Sequence, residues 1–295
     1  MATTIGTISC AENYQKVAIM GSTVGDPIPA GIGCLTEADF DTIDAGSVSL
    51  FYESSLAELN SESVPKDYVN TGASNTLITI PMNNFFDDSR KIYAAQATSL
   101  PYDKAATELT KLANKSARQN ACTELACLAT EGTKKAGEEI TSANIKQTIL
   151  DDQSAIRNTG ANPTIAVCTP EFYAKLVIAA GESLKTVEAD NRWLSAIVGS
   201  FLGIYWVSSP LLAKTDVTYI NAAGTKTAAA FTDVDYVMWD GSKFAAINRI
   251  NEFAIKDGGA VFAGSAACMS SMLGVKLLEA TACIVRTSPA IVPGG

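Results

Sequence analysis

Residues 102–131 read YDKAATELTKLANKSARQNACTELACLATE, a stretch with no internal proline or glycine. Tyr102, Ala105, Leu109, Leu112, Ser116, Ala121, Leu125 and Leu128 recur close to the three-or-four spacing of one helix face. Lys104, Glu108, Lys111, Lys115, Arg118 and Glu124 fall between them and are expected on a solvated face. Pro101 suits a first helical position, Asp103 the positive end of the dipole, and Gly132 a stop. At about 1.5 Å per residue the helix is roughly 45 Å long, against an average globular helix of about 11–12 residues. Its seam is too rich in Ala and Ser for a strong zipper. A spine lying across a sheet is the expectation.

Upstream, residues 1–46 form a leader punctuated by Gly21, Gly25, Pro27, Pro29, Gly31 and Gly33, with a short helix possible over Leu35–Ile43 capped by Thr36. Such a leader has too little apolar periodicity for a core of its own and is expected to drape over its own domain or a neighbour. Ser47–Tyr52 and Thr76–Ile80 both alternate as half-buried strands do, and the polar run between them carries Glu62, Pro65, Lys66, Asp67 and Asn70. This predicts an extended two-stranded ribbon, which alone is marginal in water and needs a partner surface. Lys66, Asp67 and Tyr68 near its tip are therefore candidate subunit contacts, although Lys66 also fits a solubilising loop lysine.

Downstream, Gly132–Glu139 reads as a charged connector and Ser142–Asn158 as a helix with Ile145, Ile149 and Ile156 on one face. Thr164–Cys168 reads as a buried strand, and Thr169-Pro170-Glu171 as a helix start running to Ala180, with Gly181 beyond it. Asn191–Val198 looks helical, and Phe201–Val207 looks like one strand. Asp216–Ile220 and Lys226–Phe231 flank a hairpin connection whose Asn221 and Gly224 are the other candidate subunit contacts. Strands are expected over Asp235–Trp239, Phe244–Asn248 and Asn251–Lys256, and Leu273–Val285 is an apolar run long for one strand.

Composition excludes much chemistry. The chain has no His, which removes histidine triads and histidine-ligated zinc. Seven Cys (Cys10, Cys34, Cys122, Cys127, Cys168, Cys268 and Cys283) contain no C-x-x-C pair, as expected of reduced core thiols. The net charge of −9, with no basic run, disfavours sequence-independent nucleic-acid binding. The uncharged windows Ala196–Ala213 and Gly258–Val275 are too rich in Gly, Ser and Pro for membrane spans. With no basic-then-apolar start, a soluble protein without a secretory signal is expected. At 47% hydrophobic residues, it is apolar enough to bury surface against other subunits.

Phosphate-cradling and nucleophile-elbow motifs are absent. Ser63-Val64-Pro65-Lys66 has serine–lysine spacing, but Pro65 interrupts it. Asp87-Asp88, Glu138-Glu139 and Asp151-Asp152 read as solvated turns or helix faces, since acid–base pairs come from separate elements. Trp193, Trp206 and Trp239 read as core anchors. No cofactor is expected.

Residues 162–176, NPTIAVCTPEFYAKL, resemble the segment that opens the axial domain in tailed-bacteriophage major capsid proteins of the Hong Kong 97-type fold. FLGIYWVSSP (201–210), DYVMWDGSKFAAINR (235–249) and LEATACIVRTSPA (278–290) resemble three later strand segments of that family, in the same order. The resemblance implies an α+β fold with an N-terminal arm (1–46), an extended loop (47–90), a peripheral domain with the spine helix (91–139), an axial domain (140–230) and returning strands (231–295). It also implies a non-enzymatic head protein, in pentamers and hexamers, forming an icosahedral shell around double-stranded DNA. Copies of itself, scaffold, portal and decoration proteins are the implied partners. The virion, assembled in host bacterial cytoplasm, is the implied location. Encapsulin compartments share the fold and are the alternative; a lysine- or carboxylate-dependent hydrolase is the alternative of another class. An acidic wall suits a container into which duplex is driven, because weak attraction lets it slide.

Overall fold

The computed structural model describes residues 33–36, 39–40, 42–43, 47–52, 76–93, 104–137, 139–184, 197–213, 217–220, 225–229, 231, 233–257 and 263–288. The spine helix, α1, runs Lys104–Glu131. Before it come β1 (Thr42–Ile43), β2 (Ser47–Tyr52), β3 (Thr76–Pro81) and β4 (Asn83–Tyr93). After it come β5 (Thr133–Ala136), α2 (Ile145–Arg157), β6 (Ile165–Cys168), α3 (Pro170–Ala180), β7 (Ile197–Phe201), β8 (Ile204–Ser208), β9 (Val217–Ile220) and β10 (Lys226–Ala229). Then follow β11 (Val234–Trp239), β12 (Phe244–Asp257), β13 (Gly264–Leu277) and β14 (Cys283–Thr287).

Two sheets meet at the spine. One is six-stranded, in the order β5-β14-β11-β6-β8-β7; the other is the long antiparallel sheet β12-β13-β4. Alternate residues of β13 point toward α1, so Ala267 and Met269 pack under Leu112 and Ala113 of its first half. Further along, Ala121, Leu125, Ala126 and Leu128 lie between Val237, Trp239 and Val285 of one sheet and Leu273 and Val275 of the other. Every residue from Asn120 to Ala129 is buried. The Ala and Cys content that weakens this helix as a zipper lets backbone from both sides approach it. Each fully buried leucine contributes about 1.5–3 kcal/mol.

This sandwich corrects the expected solvated face. Glu108 and Glu124 are buried, at 8% and 6% exposure, while Lys111, Lys115 and Arg118 are exposed. Glu108 accepts a 2.7 Å hydrogen bond from Lys111 Nζ one turn on.

The ribbon's base forms as expected: β2 and β3 pair antiparallel from Ser47↔Pro81 to Tyr52↔Thr76. It packs on the face of the long sheet away from α1, through Val48, Ile80 and Met82 against Ala245 and Ile247. Gly274 permits that approach, since a Cβ there would lie 2.7 Å from Met82 Sδ and 3.2 Å from the Pro81 carbonyl oxygen. The leader, where described, drapes over its own domain: Cys34 and Phe40 are buried, and Trp239 Nε1 donates to the Gly33 carbonyl at 2.6 Å. Of the helix expected over Leu35–Ile43, the described residues keep a 3₁₀ turn at Asp39, whose N–H donates to the Thr36 carbonyl at 3.0 Å, while both ends of the range pair as strands; residues 37, 38 and 41 lie outside the described residues. Leu35 bridges Ala245 in parallel, Thr42–Ile43 joins β2, and the Thr36 N–H and hydroxyl both donate to the Asp39 carboxylate.

Other boundaries move for identifiable reasons. The connector after α1 is β5, parallel to β14. Phe201–Val207 is not one strand but the turn of the β7–β8 hairpin, with Leu202 at φ 55° and Gly203 at φ 78° between paired Phe201 and Ile204. Ile197 and Val198, expected at a helix end, already belong to β7; the rest of that expected helix, with Trp193, lies outside the described residues. The two strands expected over 244–256 are one, bulged between Ile250 and Glu252. Leu273–Val285 divides at a 3₁₀ turn, Ala280–Ala282. Asp87-Asp88 lies within strand β4, not in a turn. The α2, β6, α3, β9–β10 and β11 elements stand within a residue or three of their expected places, and Thr169 caps α3 by accepting from the Phe172 N–H.

Candidate functional site

The most polar construction inside the described fold centres on Asp152. It occupies α2 with Ile145, Ile149 and Ile156, on the helix face that packs against the six-stranded sheet, and is 0% exposed. Its carboxylate accepts from Arg286 Nε at 2.9 Å and from Arg286 Nη2, making a two-pronged contact with β14. Lys135 Nζ of β5 donates at 3.2 Å, and the Tyr236 hydroxyl of β11 at 2.5 Å. One carboxylate thus ties a helix to three strands of the sheet. Tyr236 in turn contacts Phe172 (4.8 Å between ring centroids) and Trp206 (5.6 Å), the aromatic centre of this side of the core.

The electrostatics suit a structural tie. Burial, and then the Asp152 charge, hold the Tyr236 hydroxyl well above the ordinary tyrosine range. Burial alone would lower the Arg286 guanidinium, but hydrogen bonding to Asp152 and its charge outweigh this and raise it. Nearby, burial raises the Asp235 carboxyl, although the Ser288 hydroxyl donates to it. Burial likewise pushes the Cys168 and Cys283 thiols upward, and the Cys127 thiol with added help from Glu131, so these are protonated rather than nucleophilic. Among the described residues, no group of three or more Cys, Asp or Glu is placed to hold a metal. No helix of the described residues is long and apolar enough to cross a membrane.

Asp151-Asp152 therefore departs from the solvated reading in one member. Asp151 is exposed and bonds Gln147, while Asp152 is the buried hub. The signal was present: Ile145, Ile149, Asp152 and Ile156 are four, three and four residues apart, one continuous helix face. Arg286, inside the apolar strand CIVRT, is its counterpart. The five candidate subunit contacts, Lys66, Asp67, Tyr68, Asn221 and Gly224, all lie outside the described residues. Trp206 and Trp239 are fully buried core anchors, as expected.

A ribbon standing on a long sheet, a spine helix between two sheets and a second α/β layer make up the described fold. More particularly, this is the Hong Kong 97-type fold of tailed-phage capsid proteins. The chain is similar to the capsid structure of cyanophage P-SCSP1u at TM-score 0.62 and 14% identity, over 90% of this chain and 87% of that one. It is similar to the mature capsid of bacteriophage PhiM1 at TM-score 0.58 and 12% identity, covering 84% and 83%. The capsid of Helicobacter pylori bacteriophage KHP30 matches at TM-score 0.53 and 12% identity, covering 82% and 83%. No protein-family model matches the sequence, and no curated protein does.

Proposed function

We propose that this chain is the major capsid protein of a tailed double-stranded DNA bacteriophage. It assembles as pentamers and hexamers into an icosahedral shell that encloses the genome without reading its sequence. The observation that carries this reading is the likeness to the cyanophage capsid structure over 90% of this chain and 87% of that one. The protein works by packing rather than turnover, and the Asp152 tie keeps α2 and the six-stranded sheet a rigid block. Residues 140–230 surround each ring's axis as the axial domain, residues 91–139 and the returning strands of 231–295 meet neighbouring rings, and the arm (1–46) and extended loop (47–90), beyond the parts that pack on their own domain, overlap adjacent subunits. Lys66, Asp67, Tyr68, Asn221 and Gly224 contact those subunits. Scaffold, portal and decoration proteins are its further partners, and assembly takes place in the host cytoplasm.

The test is expression of the full chain, alone and with its neighbouring gene products, followed by sedimentation and negative-stain microscopy. Polyhedral shells, tubes or rings are the expected products, and nucleic acid inside particles isolated from infected cells separates a virus head from an enzyme-filled compartment. Monomers under every condition overturn the proposal.

A further inference from the structure

From Ala267 to Leu277 the row of β13 side chains that faces α1 is apolar except at Ser271. Ala267 and Met269 precede it, Leu273 and Val275 follow it, and all five are buried. The opposing helix face repeats the break: Leu112 and Ala113 give way to Ser116 and Asn120, and apolar packing resumes at Cys127, all of them buried. These helical positions fall within about 100° of one another around the axis, so they form one face. Register brings the two breaks together. The Leu277 N–H donates to Glu131 Oε2 at 3.0 Å, which pins the last turn of α1 beside the end of β13. Ser271 lies about 20 Å back along the strand, and about 20 Å along a helix is roughly 13 residues. That level falls between Ser116 and Asn120. A polar layer, one residue deep on the strand, therefore divides the Leu112–Met269 cluster from the one that holds Cys127, Leu273 and Val275.

Asn120 is 5% exposed and Ser271 1%, and among the described residues neither Asn120 Oδ1 nor Ser271 Oγ has a hydrogen-bond partner. Two buried polar atoms left dry on facing elements are costly. We infer that one internal water molecule bridges Asn120 Oδ1 and Ser271 Oγ and ties the spine to the long sheet through this layer. The donor set selects water. Oδ1 only accepts, whereas the hydroxyl both donates and accepts, so a molecule with two protons and two lone pairs satisfies both. Ser116, buried one turn earlier on the same face, supplies the third bond that buried waters commonly make. A hard cation needs six or so converging oxygens, and among the described residues no group of three or more Cys, Asp or Glu is placed to hold one. A layer one residue deep between two apolar clusters is too thin for an organic ligand. Neither the water nor its partners depend on what the chain assembles into.

A crystal structure of the full unassembled chain at about 2 Å, or a reconstruction of its particles at that resolution, tests this directly. A single density peak about 2.7–3.2 Å from both oxygens is expected. A direct Asn120–Ser271 hydrogen bond, a dry gap, or a peak at the distance of about 2.3–2.6 Å that marks a coordinated cation overturns the inference. A double-mutant cycle on urea unfolding of the unassembled chain supplies an independent measurement. A shared water makes the two residues one hydrogen-bonded unit, so Asn120→Leu and Ser271→Ala should not be additive. The unfolding constant of the double variant should depart by more than about 2-fold from the product of the two single effects. The double variant should also be more stable than Asn120→Leu alone, which leaves the Ser271 hydroxyl buried without its bridge. If Asn120→Leu does not fold, Asn120→Ala completes the cycle. Agreement with additivity within about 2-fold overturns the bridge and leaves the capsid reading untouched, since assembly is not what is measured.

Discussion

Replacing Asp152 by Asn should be among the most damaging single changes to this fold. The substitution preserves shape and removes one negative charge from a site where Arg286 and Lys135 both donate and Tyr236 adds a hydroxyl. The Lys135 side chain is 35% exposed and can turn its ammonium to water, whereas that of Arg286 is only 11% exposed and has no comparable route. Removing one partner of a buried pair costs about 3–5 kcal/mol, mostly from the charge left behind. Asn also points an amide N–H₂ at groups that are themselves donors. The assay is urea unfolding of the unassembled subunit, followed by tryptophan fluorescence, because Trp206 lies against Tyr236. With a slope of about 2–3 kcal/mol per molar urea, the midpoint falls by about 1–2 M. A triple variant, Asp152→Leu/Arg286→Met/Tyr236→Phe, removes the charges and the hydroxyl together and should recover to within about 1–2 kcal/mol of the parent. A loss below about 1 kcal/mol in the single variant would refute the reasoning, showing that the cations reach solvent without Asp152.

Three further outcomes follow from the geometry. Leu202 holds a left-handed backbone conformation that a branched side chain resists, so Leu202→Asn should stabilise the β7–β8 hairpin by about 0.5–1 kcal/mol in the same urea assay. Gly274→Ala places a methyl group against Met82 and Pro81, so amide hydrogen exchange at Val48 and Ile80 should quicken while the six-stranded sheet keeps its protection. Tyr236 titrates well above its ordinary value of 10.0 in the folded chain, so above about that pH the unfolded chain has lost a proton that the native state keeps. Stability therefore declines as pH rises beyond it, and Tyr236→Phe should flatten that decline in unfolding midpoints measured on either side of pH 10 or so.

Legibility in the sequence followed the reach of each signal. Local chemistry showed through: Thr169-Pro170 starts α3, Gly181 follows its end, and the isoleucines of α2 mark its buried face. The spine helix was plain because nothing between Pro101 and Gly132 breaks it. Features that depend on neighbours did not show through. Strand β4, NNFFDDSRKIY, has too many polar residues to declare itself and is held by pairing with β13. Strand β5, TKKA, exists because β14 lies beside it. Glu124 reads as solvated until a second sheet covers the helix, and Leu202-Gly203 reads as strand interior until two positive φ angles turn it. The Asp152 tie was half legible: the periodicity puts the residue on the buried face, but its partner lies 134 residues away.

The central claim is that this chain builds a shell. The most direct measurement is a cryo-electron microscopy reconstruction of the particles formed when the full chain is produced with its neighbouring gene products. Closed icosahedral particles with rings of five and six copies are expected, with the extended loop of each copy reaching an adjacent subunit beyond its β2–β3 base. A folded chain that stays monomeric in that mixture, with no rings, tubes or shells, would contradict it.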